Sequence, residues 1–241
     1  MSDASASQLL ALALATLAGA TIPLGAFLAE HTSIRPRWLD EEFRHSAIAF
    51  GGGALFSAIA LVLVPEGAAR LPAIWTLILF ALGGVVFYGV DRLLRSLGGQ
   101  MAQFLAMMLD FVPEAAALGA LLVEDVGAGY VLAALIALQN LPESFNACRE
   151  IRAAFDVTGR RVVLLFAALV PIGPLAAWTG FAVLGDLPEI LGGIMIFASG
   201  GILYLIFEDI APAAVLKNRG APALGAVAGF LLGLAGHLLV Q

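Results

Sequence analysis

Eight apolar stretches alternate with short polar ones along the whole chain, near residues 7–29, 45–65, 72–90, 101–122, 128–149, 161–184, 189–208 and 221–240. Each is close to the ~20 residues an α-helix needs to cross ~30 Å of hydrocarbon. A membrane β-barrel would instead show segments of ~10 residues with strict alternation, and none is present. The pattern therefore predicts an all-α, polytopic membrane protein of eight transmembrane helices, residues 1–241 forming one transmembrane domain. The first stretch has no basic run before it and is longer than a secretory leader's apolar region, so it is expected to be a retained span.

Composition agrees. Hydrophobic residues make up 61% of the 241 and charged residues 12%, against about a quarter charged in an ordinary soluble domain. Mean hydropathy is +0.98. The 27 glycines suit helices that approach closely in lipid. One cysteine, Cys148, excludes an internal disulfide framework. The net charge of −6, with no basic tail, gives no reason to expect a nucleic-acid partner.

The few charges are sorted by side. Every Lys and Arg except Arg70 falls in the loops 1–2, 3–4, 5–6 and 7–8: Arg35, Arg37, Arg44; Arg92, Arg95; Arg149, Arg152, Arg160, Arg161; Lys217, Arg219. Basic loops stay cytoplasmic, so both termini are expected on the extracytoplasmic face, in what would be a bacterial inner membrane. The other face carries Asp3, Glu66, Glu124, Asp125, Asp186 and Glu189. It is either an acidic vestibule that concentrates cations or simply the face from which arginines are excluded.

Ionisable residues within a span are costly and by default signal function. Asp110 and Glu114 lie mid-span in the fourth stretch, and Glu143 lies deep in the fifth, one turn beyond Gln139. Both pairs are spaced i, i+4, so each points from one helix face. Facing one another, the four side chains offer oxygens that converge on a point, as a divalent cation requires. The two spans share a polar-x-x-Pro-Glu pattern, Asp110 to Glu114 and Gln139 to Glu143. A proline inside a helix removes a hydrogen bond, here at the carbonyls of Leu109 and Leu138. Broken helices are expected where they line a midplane transport site. The bland alternative is that these groups are protonated or serve as polar glue between helices.

These motifs resemble those of the ZIP family of divalent-metal transporters, in its bacterial branch. Gln139-Asn140-Leu141-Pro142-Glu143 matches the family's fifth-helix motif, with Ser144 in place of glycine. Asp110 through Glu114 resembles the fourth-helix motif, with Asp110 where the family usually has histidine. Leu203–Glu208 resembles the seventh helix, and Leu63–Glu66 the end of the second. The resemblance implies a metal site of Asp110, Glu114, Gln139 and Glu143. It also implies a second site at Asn140, Glu114 and Glu143 that is depleted here, because Phe111 and Gly173 stand at two of its positions. It further implies alternating access by an elevator motion against spans 2 and 7, and a possible homodimer. Replacing histidine by Asp110 hardens the donor set and favours Mn²⁺ or Fe²⁺ over Zn²⁺.

The expected function is thus movement of a divalent transition metal (Zn²⁺, Fe²⁺, Mn²⁺ or Cd²⁺) towards the cytoplasm, with the metal as cargo and no cofactor. Glu208 and Asp209, near the end of span 7, are either exit-side metal ligands or ordinary helix-end charges. Met107 shares the Asp110 face and more simply packs. Glu30, His31 and His45 read as a solvated loop, and His237 as a bundle histidine. Two rival functions are a non-transporting relative that binds or senses metal and a proton-coupled carrier of an organic cation. No Gly-x-Ser-x-Gly, His-Glu-x-x-His or zinc-type Cys/His set is present, so no enzyme is expected.

Overall fold

The computed structural model describes residues 3–32, 37–96, 102–184, 186–215 and 220–240. Met101, Arg35, Lys217 and Arg219, on which parts of the span and orientation reading rest, lie outside them. Among the described residues there is no strand, and the helices form eight rods. The first, α1, is Asp3–His31. The second, α2, is Arg37–Ala58, continued through a π-helical turn, Ile59–Leu63, into Val64–Ala69. Next come α3 (Ala73–Ser96), α4 (Ala102–Glu124) and α5 (Val126–Phe155). The last three are α6 (Gly159–Leu184), α7 (Pro188–Ala213) and α8 (Ala221–Val240). Among the described residues six rods, α1, α2, α3, α6, α7 and α8, are long and apolar enough to cross a membrane, as expected of an integral membrane protein.

The bundle is apolar on the outside. Leu77, Leu224 and Leu239 are 68%, 70% and 86% exposed, whereas Asp110, Glu114 and Gln139 are 2%, 0% and 0% exposed. That inversion suits lipid as the solvent, and it puts the polar residues of α4 and α5 where the other rods shield them.

The rods fall into two groups of four. In one, α1 runs along α4, α5 and α6, while α4 also packs on α5 and α6. In the other, α2 packs along α8 and α3 along α7, with α2 touching α7. The groups meet chiefly through α2 against α5 and α4 against α7.

Close approach within each group rests on small residues, because lipid supplies no hydrophobic force between helices. Gly225, Gly229 and Gly233 recur every fourth residue of α8, and a Cβ there would strike the carbonyls of Ser46 and Phe50 and the Ser57 side chain of α2. In α4 and α6 the contact is reciprocal: Gly119 lies against the Ala177 carbonyl and Gly180 against that of Ala116.

Pro113 and Pro142 do not break their helices. Both α4 and α5 run through them, contrary to the expected interruption. The loss is confined to one hydrogen bond each, which packing on several sides tolerates. Proline leaves a mark elsewhere. The π-helical turns Ile59–Leu63 in α2 and Ile206–Ile210 in α7 each end two residues before a proline, Pro65 and Pro212. These prolines lack the N–H that would bond the carbonyls of Leu61 and Glu208. Each helix takes up the defect as a wider turn, closed by Val64 N–H to Ile59 O and Ala211 N–H to Ile206 O.

Replacing Gly229 by leucine is expected to lower stability by at least about 1–3 kcal/mol, the usual cost of overpacking. Gly89→Ala, whose Cβ would meet nothing within 4 Å, is expected to be neutral or stabilising by up to about 1 kcal/mol. Thermal unfolding in detergent, followed by size-exclusion chromatography, measures both.

Candidate functional site

Gln139 of α5 meets Glu114 of α4, and Glu143 of α5 shares a pocket with Asp110 of α4, but the expected convergence of the carboxylates on one point is not found among the described residues. Gln139 Nε2 donates to Glu114 Oε2 at 2.5 Å, tying the two helices. The remaining oxygens are the informative ones. Asp110 Oδ1, Glu114 Oε1, Gln139 Oε1 and both carboxylate oxygens of Glu143 are buried with no hydrogen-bond partner from the protein. The three carboxylates lie within electrostatic reach of one another. Each buried polar atom left unpaired costs about 1–3 kcal/mol, so these five oxygens call for a proton, a water or an ion.

The cluster opens on a pocket of about 40 Å³ lined by Met107 and Asp110 of α4, Pro142, Glu143 and Asn146 of α5, Ile48 of α2, and Leu205, Asp209 and Ile210 of α7. That volume holds an ion or about two or three waters. The pocket lies on the seam between the two groups of rods. A larger apolar groove of about 780 Å³ runs between α2, α7 and α8, and Ile210 forms part of its wall as well.

Two residues expected at the site lie apart from it. Asn140, one residue on from Gln139, faces α1, where its Nδ2 donates to the Ala18 carbonyl at 3.4 Å. Helical rotation of about 100° per residue separates the two amides. The positions of the depleted second site are filled by packing: the buried Phe111 ring lies over Gly173, where a Cβ would come within 2.6 Å of Phe111 Cζ. Ser144, in the glycine position, sits against Gly25 of α1.

Glu208 points outward and pairs with Arg95 Nη2 at 2.8 Å. Its neighbour Asp209 is the α7 acid that lines the pocket. The π-helical turn Ile206–Ile210 contains both, and such a turn shifts every later side chain around the axis. Periodicity reasoned on a regular α-helix cannot choose between two adjacent acids across such a defect. Asn146 also escaped the sequence reading. It follows Glu143 by three residues, so it shares that face, and its Nδ2 donates to the Pro142 carbonyl at 2.9 Å.

The peripheral residues are accounted for by their neighbours. Glu30 pairs with Arg152 at 2.7 Å. His31 Nδ1 and His45 Nδ1 contact the Phe27 and Glu41 carbonyls at 2.9 Å and 2.6 Å. Asp91 accepts from Arg95 Nε at 2.9 Å and from the Tyr204 hydroxyl at 3.1 Å.

Neither a protein-family model nor a curated protein matches the chain. Among the described residues, no three His, Cys, Asp or Glu side chains stand close enough together to hold a metal ion. The donors gathered here are two helices' carboxylates and one amide, and that amide is engaged with Glu114.

Removing the Gln139 donor tests this description. Gln139→Leu strands a buried carboxylate oxygen and is expected to cost about 1–3 kcal/mol. The double variant Gln139→Leu/Glu114→Leu should recover most of it, since removing both partners removes the unmet polar group. Unfolding in SDS–detergent mixtures, read by tryptophan fluorescence, supplies the cycle.

Proposed function

We propose that the chain is a transporter of divalent transition-metal cations, with the metal as cargo bound between α4 and α5. The observation that carries this reading is the set of five buried, unpartnered oxygens on Asp110, Glu114, Gln139 and Glu143. Carboxylates at membrane depth attract a cation and repel one another without it. Two or three of them neutralise a divalent charge that lipid alone would exclude. Loading the site requires Gln139 to turn its amide, giving up the bond to Glu114 and presenting oxygen to the ion. Between cargoes the site takes up protons or water.

The pocket's small volume, about 40 Å³, favours an ion over an organic cation. A soft ligand, Met107 sulfur, lines the same wall as Asp110. An otherwise all-oxygen set favours Mn²⁺ and Fe²⁺ over Zn²⁺. The motifs shared with ZIP transporters point the same way. In this reading all eight rods span the membrane, with both termini extracytoplasmic, and the ion moves towards the cytoplasm. The division into two groups of four, with the site on their seam, supports a motion in which α1, α4, α5 and α6 carry the ion past α2, α3, α7 and α8.

Uptake of Mn²⁺, Fe²⁺, Zn²⁺ and Cd²⁺ into proteoliposomes is the direct test. Flux by the wild type should fall to the protein-free background in Glu143→Ala, and absence of flux for every metal in correctly inserted protein would refute the proposal. Binding without flux would leave a metal sensor instead. Asp110→His is expected to raise Zn²⁺ uptake relative to Mn²⁺, because imidazole suits zinc and hard oxygen donors suit manganese; competition uptake with the two metals mixed reads the ratio.

A further inference from the structure

Arg95 stands at the end of α3 and holds acids of two rods together. Its Nε donates to both carboxylate oxygens of Asp91, at 3.0 and 2.9 Å. Its Nη2 reaches Glu208 at 2.8 Å and Asp209 at 3.1 Å on α7. Asp91 is itself 7% exposed and is fixed from α7 by the Tyr204 hydroxyl. The guanidinium is therefore aimed before it meets α7, and a fork of fixed N–H groups suits several carboxylates at once.

What gives this cluster a role beyond joining helices is where Asp209 points. It lines the pocket that also contains Asp110, Glu143 and Asn146, and Asp110 Oδ1 and both Glu143 oxygens there are buried and unpartnered. So a chain of carboxylates runs from the core of the bundle to a half-exposed arginine. Arg95 is 49% exposed in its side chain and Asp209 22%, so the pair joins an acid of the pocket wall to a side chain on the outside of the bundle. An ion pair at that exposure is weak and exchangeable, as a closure that must open requires.

We propose that Arg95 is a tethered cation that latches the carboxylate pocket shut: it occupies Asp209 until a cargo cation displaces it. The latch rests on the transport reading for its purpose, but its closing action does not depend on the cargo. Arg95 competes with the ion for one acid. Removing its charge should make the pocket easier to enter, whereas a purely structural ion pair would only loosen α3 from α7.

The test uses the full chain in lipid nanodiscs, with Cys148 replaced by serine and Ile48→Cys in the pocket wall as reporter. Silver ion, a thiol reagent small enough for a pocket of about 40 Å³, is applied from both faces, and the thiols left free are counted with maleimide after denaturation. Arg95→Gln is expected to speed labelling about threefold to fivefold, the range an exposed charge pair supports, while Arg95→Lys, which keeps the charge but not the fork, falls between the parent and Arg95→Gln. Equal rates in the parent and Arg95→Gln would overturn the latch. So would equal acceleration by both substitutions, which would mean that the side chain packs rather than pairs. Thermal unfolding of each variant separates opening from general loosening: faster labelling with an unchanged melting temperature supports the latch, and faster labelling that tracks a lowered one overturns it. Metal flux is scored separately in the same variants. Labelling that accelerates in a protein without flux upholds the latch and removes only the metal reading.

Discussion

Three carboxylates share the interior of a bundle whose outside is made for lipid, and most of their oxygens find no hydrogen-bond partner among the described residues. The other features of the structure answer to that constraint. A charge in low dielectric must be neutralised by a proton, a counter-ion or a hydrogen bond, and Gln139 supplies only one bond, to Glu114. The helices that carry these acids cannot face lipid with that side, so α4 and α5 occupy the middle and the six other rods surround them. Glycine seams keep the surrounding rods close enough to exclude lipid from the acids.

The rods α2 and α7 meet the same constraint differently. Both face the carboxylates across the seam, and both carry a π-helical turn two residues before a proline. A regular helix at α7 would place Glu208 and Asp209 on a different arc. The widened turn lets one acid enter the pocket while the other stays outside with Arg95. Helix irregularity thus does in α7 what the prolines of α4 and α5 were expected to do in their own helices.

The sequence made the rods legible because hydrophobic length is a one-dimensional signal: the eight apolar stretches coincide with α1 to α8 to within several residues. The core of the site was legible for a similar reason, since i, i+4 spacing on two neighbouring helices fixes a face. What escaped depended on rotation and on neighbours distant in sequence. Asn140 is adjacent to Gln139 but turns to α1. Asp209 rather than Glu208 enters the pocket because of a π-helical turn that no pattern of hydrophobicity reveals. The bond from Arg95 to Asp209 spans 114 residues, and nothing in either local segment announces it.

Ile210 belongs to two compartments at once, the wall of the carboxylate pocket and the wall of the apolar groove between α2, α7 and α8. Its methyl Cγ2 also fits against Gly52, where a Cβ would come within 2.7 Å. On this flank one branched side chain borders both the apolar groove and the acids. A shorter residue there would join an oily compartment to a charged one, and the bilayer's composition would then bear on the acids from the side.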